Sequence, residues 1–119
     1  MGGTSTDISL IVDGTSSLVM DRAVGAHRVA LDSLDIVSIG AGGGSIARVD
    51  AGGILHVGPQ SAGAEPGPAC YGHGGTAATV TDANVVLGLI DPDNFLGGRR
   101  RLDRGAAEAA VDRRPLTGT

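Results

Sequence analysis

The chain has 119 residues, a length suited to one small domain, with 21 glycines and a net charge of −4. All nine basic residues are Arg, the only aromatic residues are Tyr71 and Phe95, and the single Cys permits no internal disulfide. A mildly acidic chain with so few aromatic side chains is a poor nucleic-acid binder, and no apolar run approaches the ~20 residues of a transmembrane helix. The composition therefore predicts a cytoplasmic protein with a thin core, one that binds neither nucleic acid nor membranes.

The first third of the chain predicts strands joined by turns. Residues 8–12 are apolar on both faces, which is typical of a strand covered on both sides. Asp13-Gly14 predicts a tight turn, after which residues 18–20 return as the partner strand of a hairpin. Residues 21–35 show no clear helical period and are expected to be irregular or to form short strands, whereas residues 36–39 form another short apolar strand.

A second hairpin and a long loop are predicted in the middle of the chain. Residues 51–53 form the turn of this hairpin, and one face of its two strands carries Ala47, Val49, Leu55 and Val57. Residues 58–75 are dominated by Gly, Ala and Pro and are too poor in apolar side chains to predict a buried element. The three prolines in this segment favour an ordered loop over a flexible linker.

Two helices are predicted toward the carboxyl end. Thr81 is the predicted N-cap of the first, Asp91-Pro92 ends it, and its apolar face comprises Ala83, Val86, Leu87 and Ile90. The second begins after Asp103 and runs to about Arg114, just before a proline.

Strands followed by helices predict a mixed α and β class. We expect one domain over residues 1–119, with a strand-rich part (1–57), a Gly/Pro-rich loop (58–78) and a helical part (79–114).

Two glycine-rich segments are candidates for anion binding. The first places two glycines, three hydroxyls and a carboxylate directly before the first strand: Gly2, Gly3, Thr4, Ser5, Thr6 and Asp7. Glycines allow backbone N–H groups to approach an anion, hydroxyls donate to its oxygens, and a carboxylate holds Mg²⁺ through water or orients an attacking group. The second follows the strand at 36–39 and would approach phosphate or substrate through its amides: Gly42, Gly43, Gly44 and Ser45. The alternatives are a plain turn for the first segment and a closely packed backbone kink for the second.

Other polar residues are interpreted as structural. Cys70, His73 and Asp82 offer metal-ligand atoms, but a single Cys in an apolar loop is more often inert packing, so no metal site is predicted. Asp82 is interpreted as a first-turn residue stabilised by the helix dipole rather than as a catalytic group. The run of three arginines at 99–101 is expected to be a solvated face.

The order of these segments resembles the hydantoinase A/5-oxoprolinase family. Gly-Gly-Thr-Ser-Thr-Asp at residues 2–7, followed by an apolar strand and an Asp-Gly turn, is similar to the family's second phosphate loop. The likeness continues in the family's order through residues 39–47, 57–64, 67–72, 79–84 and 91–98. The resemblance implies a fragment of an actin, sugar kinase and Hsp70-like ATPase domain, which has a ribonuclease H-like α/β fold and uses ATP and Mg²⁺.

The resemblance also implies a reaction, the ATP-dependent opening of a cyclic amide such as an N-substituted hydantoin or 5-oxoproline. Phosphoryl transfer to the amide oxygen would activate the ring for hydrolysis. Asp7 is then the catalytic candidate, residues 2–6 and 42–45 bind the cofactor, and a hydantoinase B-type subunit or domain is the companion. Acetone- and acetophenone-type carboxylases share this subunit type and are the first alternative. A non-functional truncated product or a small glycine-rich interaction module is the second.

The resemblance does not extend to every part of the family's nucleotide site. Family members carry a strand and an Asp before the Met-Gly-Gly turn, a first phosphate loop and an adenosine-contacting segment, and none of these is matched here. We therefore expect a central fragment that is inactive, and poorly soluble or molten, when it is expressed alone.

Overall fold

The computed structural model describes residues 1–16, 18–19, 22–24, 27–29, 33–34 and 36–113. The chain divides into two compact units. One unit comprises Met1–Ser5 and the chain from Gly40 onward, and the other comprises Thr6–Ile39. Both α-helices of the described residues belong to the first unit.

The Thr6–Ile39 unit consists of antiparallel pairs of short strands. In chain order the strands are β1 (Thr6–Ser9), β2 (Ile11–Val12), β3 (Thr15–Ser16), β4 (Leu18–Val19), β5 (Arg22–Val24), β6 (His27–Val29), β7 (Ser33–Leu34) and β8 (Ile36–Ile39). The pairs are β1 with β8, β2 with β3, β4 with β7 and β5 with β6. The β1–β8 register places Asp7 opposite Ser38.

The hairpin around Asp13-Gly14 is shorter than predicted. Its arms are β2 and β3, because pairing the residues nearest to the turn has the smallest entropic cost of loop closure. Strand β4 pairs instead with β7, further along the chain. Met20, the end of the predicted partner strand, lies outside the described residues. The prediction that residues 8–12 are covered on both sides is wrong for this chain, since Ile8, Leu10 and Ile11 are all at least half exposed.

The other unit begins, after its opening turn, with a hairpin of β9 (Ser45–Val49) and β10 (Leu55–Ser61). The predicted register is confirmed, because Leu55 pairs with Val49 and Val57 with Ala47. Asp50 holds the turn. Its Oδ1 accepts hydrogen bonds from the N–H groups of Gly52 (2.9 Å) and Ile54 (3.0 Å), and its Oδ2 lies 2.7 Å from Nε2 of His56.

The Gly/Pro-rich segment is more structured than its composition predicts. Strand β10 continues to Ser61, with an irregular register after Val57. Residues 67–70 are buried, and a 3₁₀ turn covers Ala69–Tyr71. The prediction that this segment cannot form a buried element is therefore wrong. Small residues contribute little side-chain surface, but they let the backbone itself pack closely against neighbouring elements.

Helix α1 (Val80–Val86) begins and ends earlier than predicted. Its N-cap is Thr79 rather than Thr81: Thr79 Oγ1 accepts from Asp82 N–H while the Asp82 carboxylate accepts from Thr79 N–H, which forms a capping box. Gly88 adopts a left-handed conformation (φ +80°) and stops the helix before Ile90. The predicted apolar face is wrong at Leu87, which is 72% exposed; Val85 is the buried residue of this turn.

Helix α2 (Arg104–Asp112) starts where the sequence predicts, because Asp103 Oδ1 accepts a hydrogen bond from Ala106 N–H at 3.0 Å. The core between the helices and the 3₁₀ turn is small. It consists of Cys70, Val85, Leu102 and Ala107, with Tyr71, Val86, Ile90 and Phe95 packed against it. Within the described ranges, no helix has the length and apolar character needed to cross a membrane.

Candidate functional site

The structure brings the opening turn and the second glycine-rich segment into direct contact. Gly43 N–H donates to the carbonyl oxygen of Gly2 at 2.9 Å, and Gly44 N–H donates to that of Gly3 at 2.6 Å. Gly2 N–H in turn donates to the carbonyl oxygen of Ser5 at 2.8 Å and closes the opening turn. Residues 2–5 and the second glycine-rich segment, which were predicted separately from the sequence, are therefore joined by backbone hydrogen bonds.

Glycine is required at position 42 by the closeness of this contact. A Cβ atom on Gly42 would lie 2.6 Å from the carbonyl oxygen of Gly2 and 2.7 Å from the backbone nitrogen of Thr4. Both neighbours are backbone atoms, so neither can rotate away as a flexible side chain would. The absence of a side chain at Gly42 thus allows the two segments to approach each other.

The amides of the second segment are already hydrogen-bonded, unlike those of the opening turn. Besides the Gly43 and Gly44 bonds, Gly42 N–H donates to the fully buried Ser45 Oγ at 2.8 Å. By contrast, the N–H groups of Gly3 and Thr4 and the hydroxyl of Thr4 make no hydrogen bond within the described part of the chain. The opening turn therefore has free donors, whereas the amides of the second segment are used to hold that turn and the segment itself.

A cavity of about 400 Å³ lies beside the opening turn. The residues that line it include Gly2, Gly3 and Thr4 of the turn, together with Tyr71 and Thr81. A larger cavity of about 460 Å³ lies between the β9–β10 hairpin and the two helices. Its lining is mostly Ala, Leu and Val and includes none of the predicted site residues, so the smaller cavity is the candidate site.

Helix α1 anchors this site through two consecutive residues. The N–H and the Oγ1 hydroxyl of Thr81 both donate to the carbonyl oxygen of Gly43, at 2.9 and 2.8 Å. The next residue, Asp82, is fully buried, and its carboxylate accepts from the N–H groups of Ala69 and Cys70 as well as from Thr79. Because protein donors surround both its oxygens, Asp82 is structural, and it lies in the first turn as predicted.

Asp7, the predicted catalytic residue, lies in the Thr6–Ile39 unit. It is the second residue of β1, directly after Thr6, and its carboxylate accepts a hydrogen bond from Ser38 Oγ. Its side chain is exposed to solvent. The assignment of Asp7 to catalysis and of Thr6 to cofactor binding stays a prediction.

Arg100 has a structural role that its place in a run of three arginines does not indicate. Its Nη2 donates to the carbonyl oxygen of Tyr71 at 3.2 Å and lies 2.5 Å from Nε2 of His73, and its guanidinium carbon lies 4.7 Å from the centre of the Tyr71 ring. The Tyr71 ring also lies 5.9 Å from that of Phe95. The prediction that residues 99–101 form a solvated face is therefore wrong for Arg100, because cation–π and hydrogen-bonding contacts hold it against the fold.

Cys70 is unsuited to nucleophilic chemistry. The thiol is buried in the core, and burial raises its pKa to about 12, with the neighbouring Asp82 carboxylate acting in the same direction. A thiol with this pKa is protonated at neutral pH. Cys70 therefore contributes packing, as the sequence analysis interpreted it.

Comparison with known proteins shows similarity over almost the whole chain. Residues 1–116 match the hydantoinase/oxoprolinase family. The chain is 49% identical over 111 residues to caprolactamase subunit alpha of Pseudomonas jessenii, which covers 93% of this chain and 16% of that protein. It is 47% identical over 113 residues to the acetophenone carboxylase gamma subunit of Aromatoleum aromaticum, covering 93% and 15%. It is also 47% identical over 95 residues to 5-oxoprolinase 1 of Arabidopsis thaliana, covering 80% and 7%.

Two solved structures contain a similar fold. The ATP-dependent caprolactamase of P. jessenii superposes with a TM-score of 0.73 at 49% identity, and nucleotide-free acetone carboxylase with a TM-score of 0.71 at 36% identity. Each match covers 93% of this chain and 16% of the solved chain. The mixed α and β fold is thus shown, and the chain spans less than a fifth of the length of these proteins.

Proposed function

This chain belongs to the hydantoinase/oxoprolinase family, and we propose on that basis that it is a segment of an ATP-dependent hydrolase that opens cyclic amides. The ATPase domain would be of the actin, sugar kinase and Hsp70 type, with a ribonuclease H-like fold. We place the complete enzyme in the cytoplasm, with a companion hydantoinase B-type subunit or domain. Subunit names among the relatives, alpha for the caprolactamase and gamma for the acetophenone carboxylase, support a multisubunit enzyme.

The single observation that carries the phosphate assignment is the set of free donors in the opening turn. Gly3 and Thr4 line the 400 Å³ cavity, and their N–H groups and the Thr4 hydroxyl are not used by the described fold. Backbone N–H groups grouped in this way form an anion-binding concavity. Gly2, Ser5 and Thr6 complete the segment that we assign to the ATP phosphates. Residues 42–45 were predicted to contact the cofactor through their amides, but those N–H groups are already hydrogen-bonded, so we assign them the support of this turn.

Each part of the site has a separate task in the proposed reaction. ATP, when bound, supplies the phosphoryl group that activates the amide oxygen of the ring. The donors of Gly3 and Thr4 hold phosphate oxygens and stabilise the charge that develops on them. Asp7 would hold Mg²⁺ through water or orient the attacking group. Holding the reactants in one geometry is most of what phosphoryl transfer requires of a protein.

A second candidate function is ATP-dependent ketone carboxylation. It is favoured by the 47% identity to the acetophenone carboxylase gamma subunit and by the structural match to acetone carboxylase. A carboxylase requires bicarbonate for turnover, whereas a cyclic amide hydrolase does not. Assaying the complete enzyme with and without bicarbonate separates the two.

A segment exchange tests the proposed hydrolase. The segment of the P. jessenii caprolactamase subunit alpha that matches this chain is replaced by this chain. We call the resulting protein the exchanged subunit, and it is assayed in the assembled holoenzyme. We expect ATP-dependent hydrolysis, a several-fold higher KM for ATP in Thr4→Val, and a kcat about 100-fold lower in Asp7→Ala. Asp93→Ala, which removes an exposed carboxylate that pairs with Arg101, is the matched control and should leave both constants unchanged. An inactive exchanged subunit, or an active one that is indifferent to the Thr4 and Asp7 changes, would overturn the proposal.

A further inference from the structure

We propose that Thr81 is a positioning residue for the phosphate-binding turn, acting through two peptide planes that end at the free N–H of Thr4. The inference rests on the proposed function, because it assumes that the Thr4 N–H receives a phosphate oxygen. The sequence predicted Thr81 as the N-cap of α1, but in the structure the N-cap is Thr79. The inference gives Thr81 a different role.

The first step of the path is the pair of hydrogen bonds from Thr81 to Gly43. Thr81 is the second residue of α1, so its N–H has no partner inside the helix, and that N–H donates to the Gly43 carbonyl at 2.9 Å. The side-chain hydroxyl donates to the same oxygen at 2.8 Å. Two donors from one residue therefore fix the direction of a single carbonyl group.

The second step crosses the peptide unit between Gly43 and Gly44. In a planar trans peptide the C=O and the N–H point in opposite directions. Because Thr81 holds the Gly43 carbonyl on one side, the Gly44 N–H on the other side is directed at the Gly3 carbonyl, which accepts it at 2.6 Å. The orientation set by Thr81 is thus passed to the opening turn without any side chain in between.

The third step repeats this geometry in the turn itself. The carbonyl of Gly3 shares its peptide unit with the N–H of Thr4, a residue that lines the cavity, and this N–H makes no hydrogen bond within the described residues. Fixing the Gly3 carbonyl therefore fixes the direction of the Thr4 N–H. Hydrogen bonds in such a chain also polarise one another, which strengthens the terminal donor.

Thr81 is itself held in place by its surroundings, so it can fix the direction of the Gly43 carbonyl. It is 8% exposed, and the adjacent Asp82 ties the start of α1 to the N–H groups of Ala69 and Cys70 at 3.1 and 2.8 Å. A second path runs beside the first: Ser45 N–H donates to the Gly42 carbonyl, and Gly43 N–H donates to the Gly2 carbonyl. This second path ends at the Gly3 N–H and does not involve Thr81, so loss of Thr81 should weaken phosphate binding without abolishing it.

The test compares three variants of the exchanged subunit in its holoenzyme. Thr81→Val removes the hydroxyl and keeps the shape of the side chain, and we expect a KM for ATP about three- to tenfold higher with a smaller change in kcat. Thr81→Ser keeps the hydroxyl and should restore a KM close to that of the parent. Thr76→Val, at an exposed Thr outside the candidate site, is the control for the loss of a hydroxyl alone.

A double-mutant cycle shows whether Thr81 acts through the proposed peptide. A Cβ atom at position 44 would lie 3.0 Å from the Gly3 carbonyl oxygen, so Gly44→Ala disturbs the next bond of the same path. The effects of Thr81→Val and Gly44→Ala on the KM for ATP should then fail to add. Additive effects, an unchanged KM in Thr81→Val, or a Thr81→Ser variant as impaired as Thr81→Val would each overturn the inference. Inactivity of the exchanged subunit before any substitution would instead overturn the proposed function.

Discussion

The carboxylate of Asp82 and the backbone N–H of Cys70 are joined by a buried hydrogen bond of 2.8 Å. This contact ties the first turn of α1 to the 3₁₀ turn in the Gly/Pro-rich segment, 12 residues earlier in the chain. A buried carboxylate destabilises a fold unless donors surround it, and here both oxygens are supplied. In the described parts of the chain, no buried side-chain nitrogen or oxygen lacks a partner.

The substitution Asp82→Asn should destabilise this region strongly. The amide group of Asn has nearly the same shape, but its NH₂ would face N–H donors where the carboxylate now accepts. We expect a local opening free energy about 2–4 kcal/mol lower. Hydrogen exchange of residues 67–87 in the exchanged subunit measures it, with Asp93→Asn as an exposed control that should exchange at the parent rate. Equal exchange in both variants would contradict the structural assignment of Asp82.

Gly42→Ala should separate the two glycine-rich segments, because the new Cβ would lie within 2.6 Å of the Gly2 carbonyl oxygen. The opening turn would then lose its support, and we expect the KM for ATP of the exchanged subunit to rise at least about tenfold. Gly40→Ala is the matched control, since its Cβ would meet only Pro59 at an ordinary 3.8 Å. A Gly42→Ala variant with the parent KM would show that the contact between the segments is unimportant for nucleotide binding.

The Asp50 turn should weaken in acid. The hydrogen bond with His56, and after it the N–H of Ile54, lower the pKa of Asp50 below its ordinary value of 3.8. The contribution of this carboxylate to hairpin stability is therefore complete above pH 3.8 and is lost as the pH falls through the lowered value. Hydrogen exchange of residues 50–56, corrected for intrinsic rates, should show lower protection in Asp50→Asn than in the parent at pH 6. A difference that persisted undiminished at the lowest attainable pH would refute this account.

Cys70 should resist alkylation in the assembled enzyme. Its thiol is buried with a pKa raised to about 12 from an ordinary 9.0, so hardly any thiolate exists at pH 8. The raised pKa also means that its contribution to stability is complete below pH 9 and is lost as the pH rises toward 12. Labelling at Cys70, followed by mass spectrometry, should be slow in the exchanged subunit and fast after denaturation. Thr76→Cys, at an exposed site, is the positive control.

The isolated chain should behave differently from the exchanged subunit. Its core is small, and large apolar side chains such as Leu10, Leu87 and Leu89 are mostly exposed. We therefore expect rapid labelling of Cys70 and poorly dispersed amide NMR signals when the chain is expressed alone. A sharp cooperative melt would contradict this prediction and would make the chain itself suitable for titration with ATP and Mg²⁺.

Local signals in the sequence predicted the elements better than their boundaries. The β9–β10 register follows from alternation around a short turn, and the start of α2 follows from Asp103, because a few adjacent residues encode each feature. The start of α1 was misassigned because Thr79 and Thr81 are equally good caps, although Thr79 has an Asp three residues later and so carries the capping-box signal. The helix ends earlier than its apolar pattern predicts because Gly88 takes a left-handed conformation that stops it.

Sequence alone determined the family, the mixed α and β class and the two glycine-rich segments, since these depend on residue order and on local backbone preference. Only the tertiary structure decided how those segments are used. It joined Gly43 and Gly44 to the opening turn, left the donors of Gly3 and Thr4 free, and placed Thr81 against a carbonyl 38 residues away. These hydrogen bonds form only where packing brings backbone groups from distant parts of the chain to within about 3 Å of each other. No local sequence pattern encodes that distance.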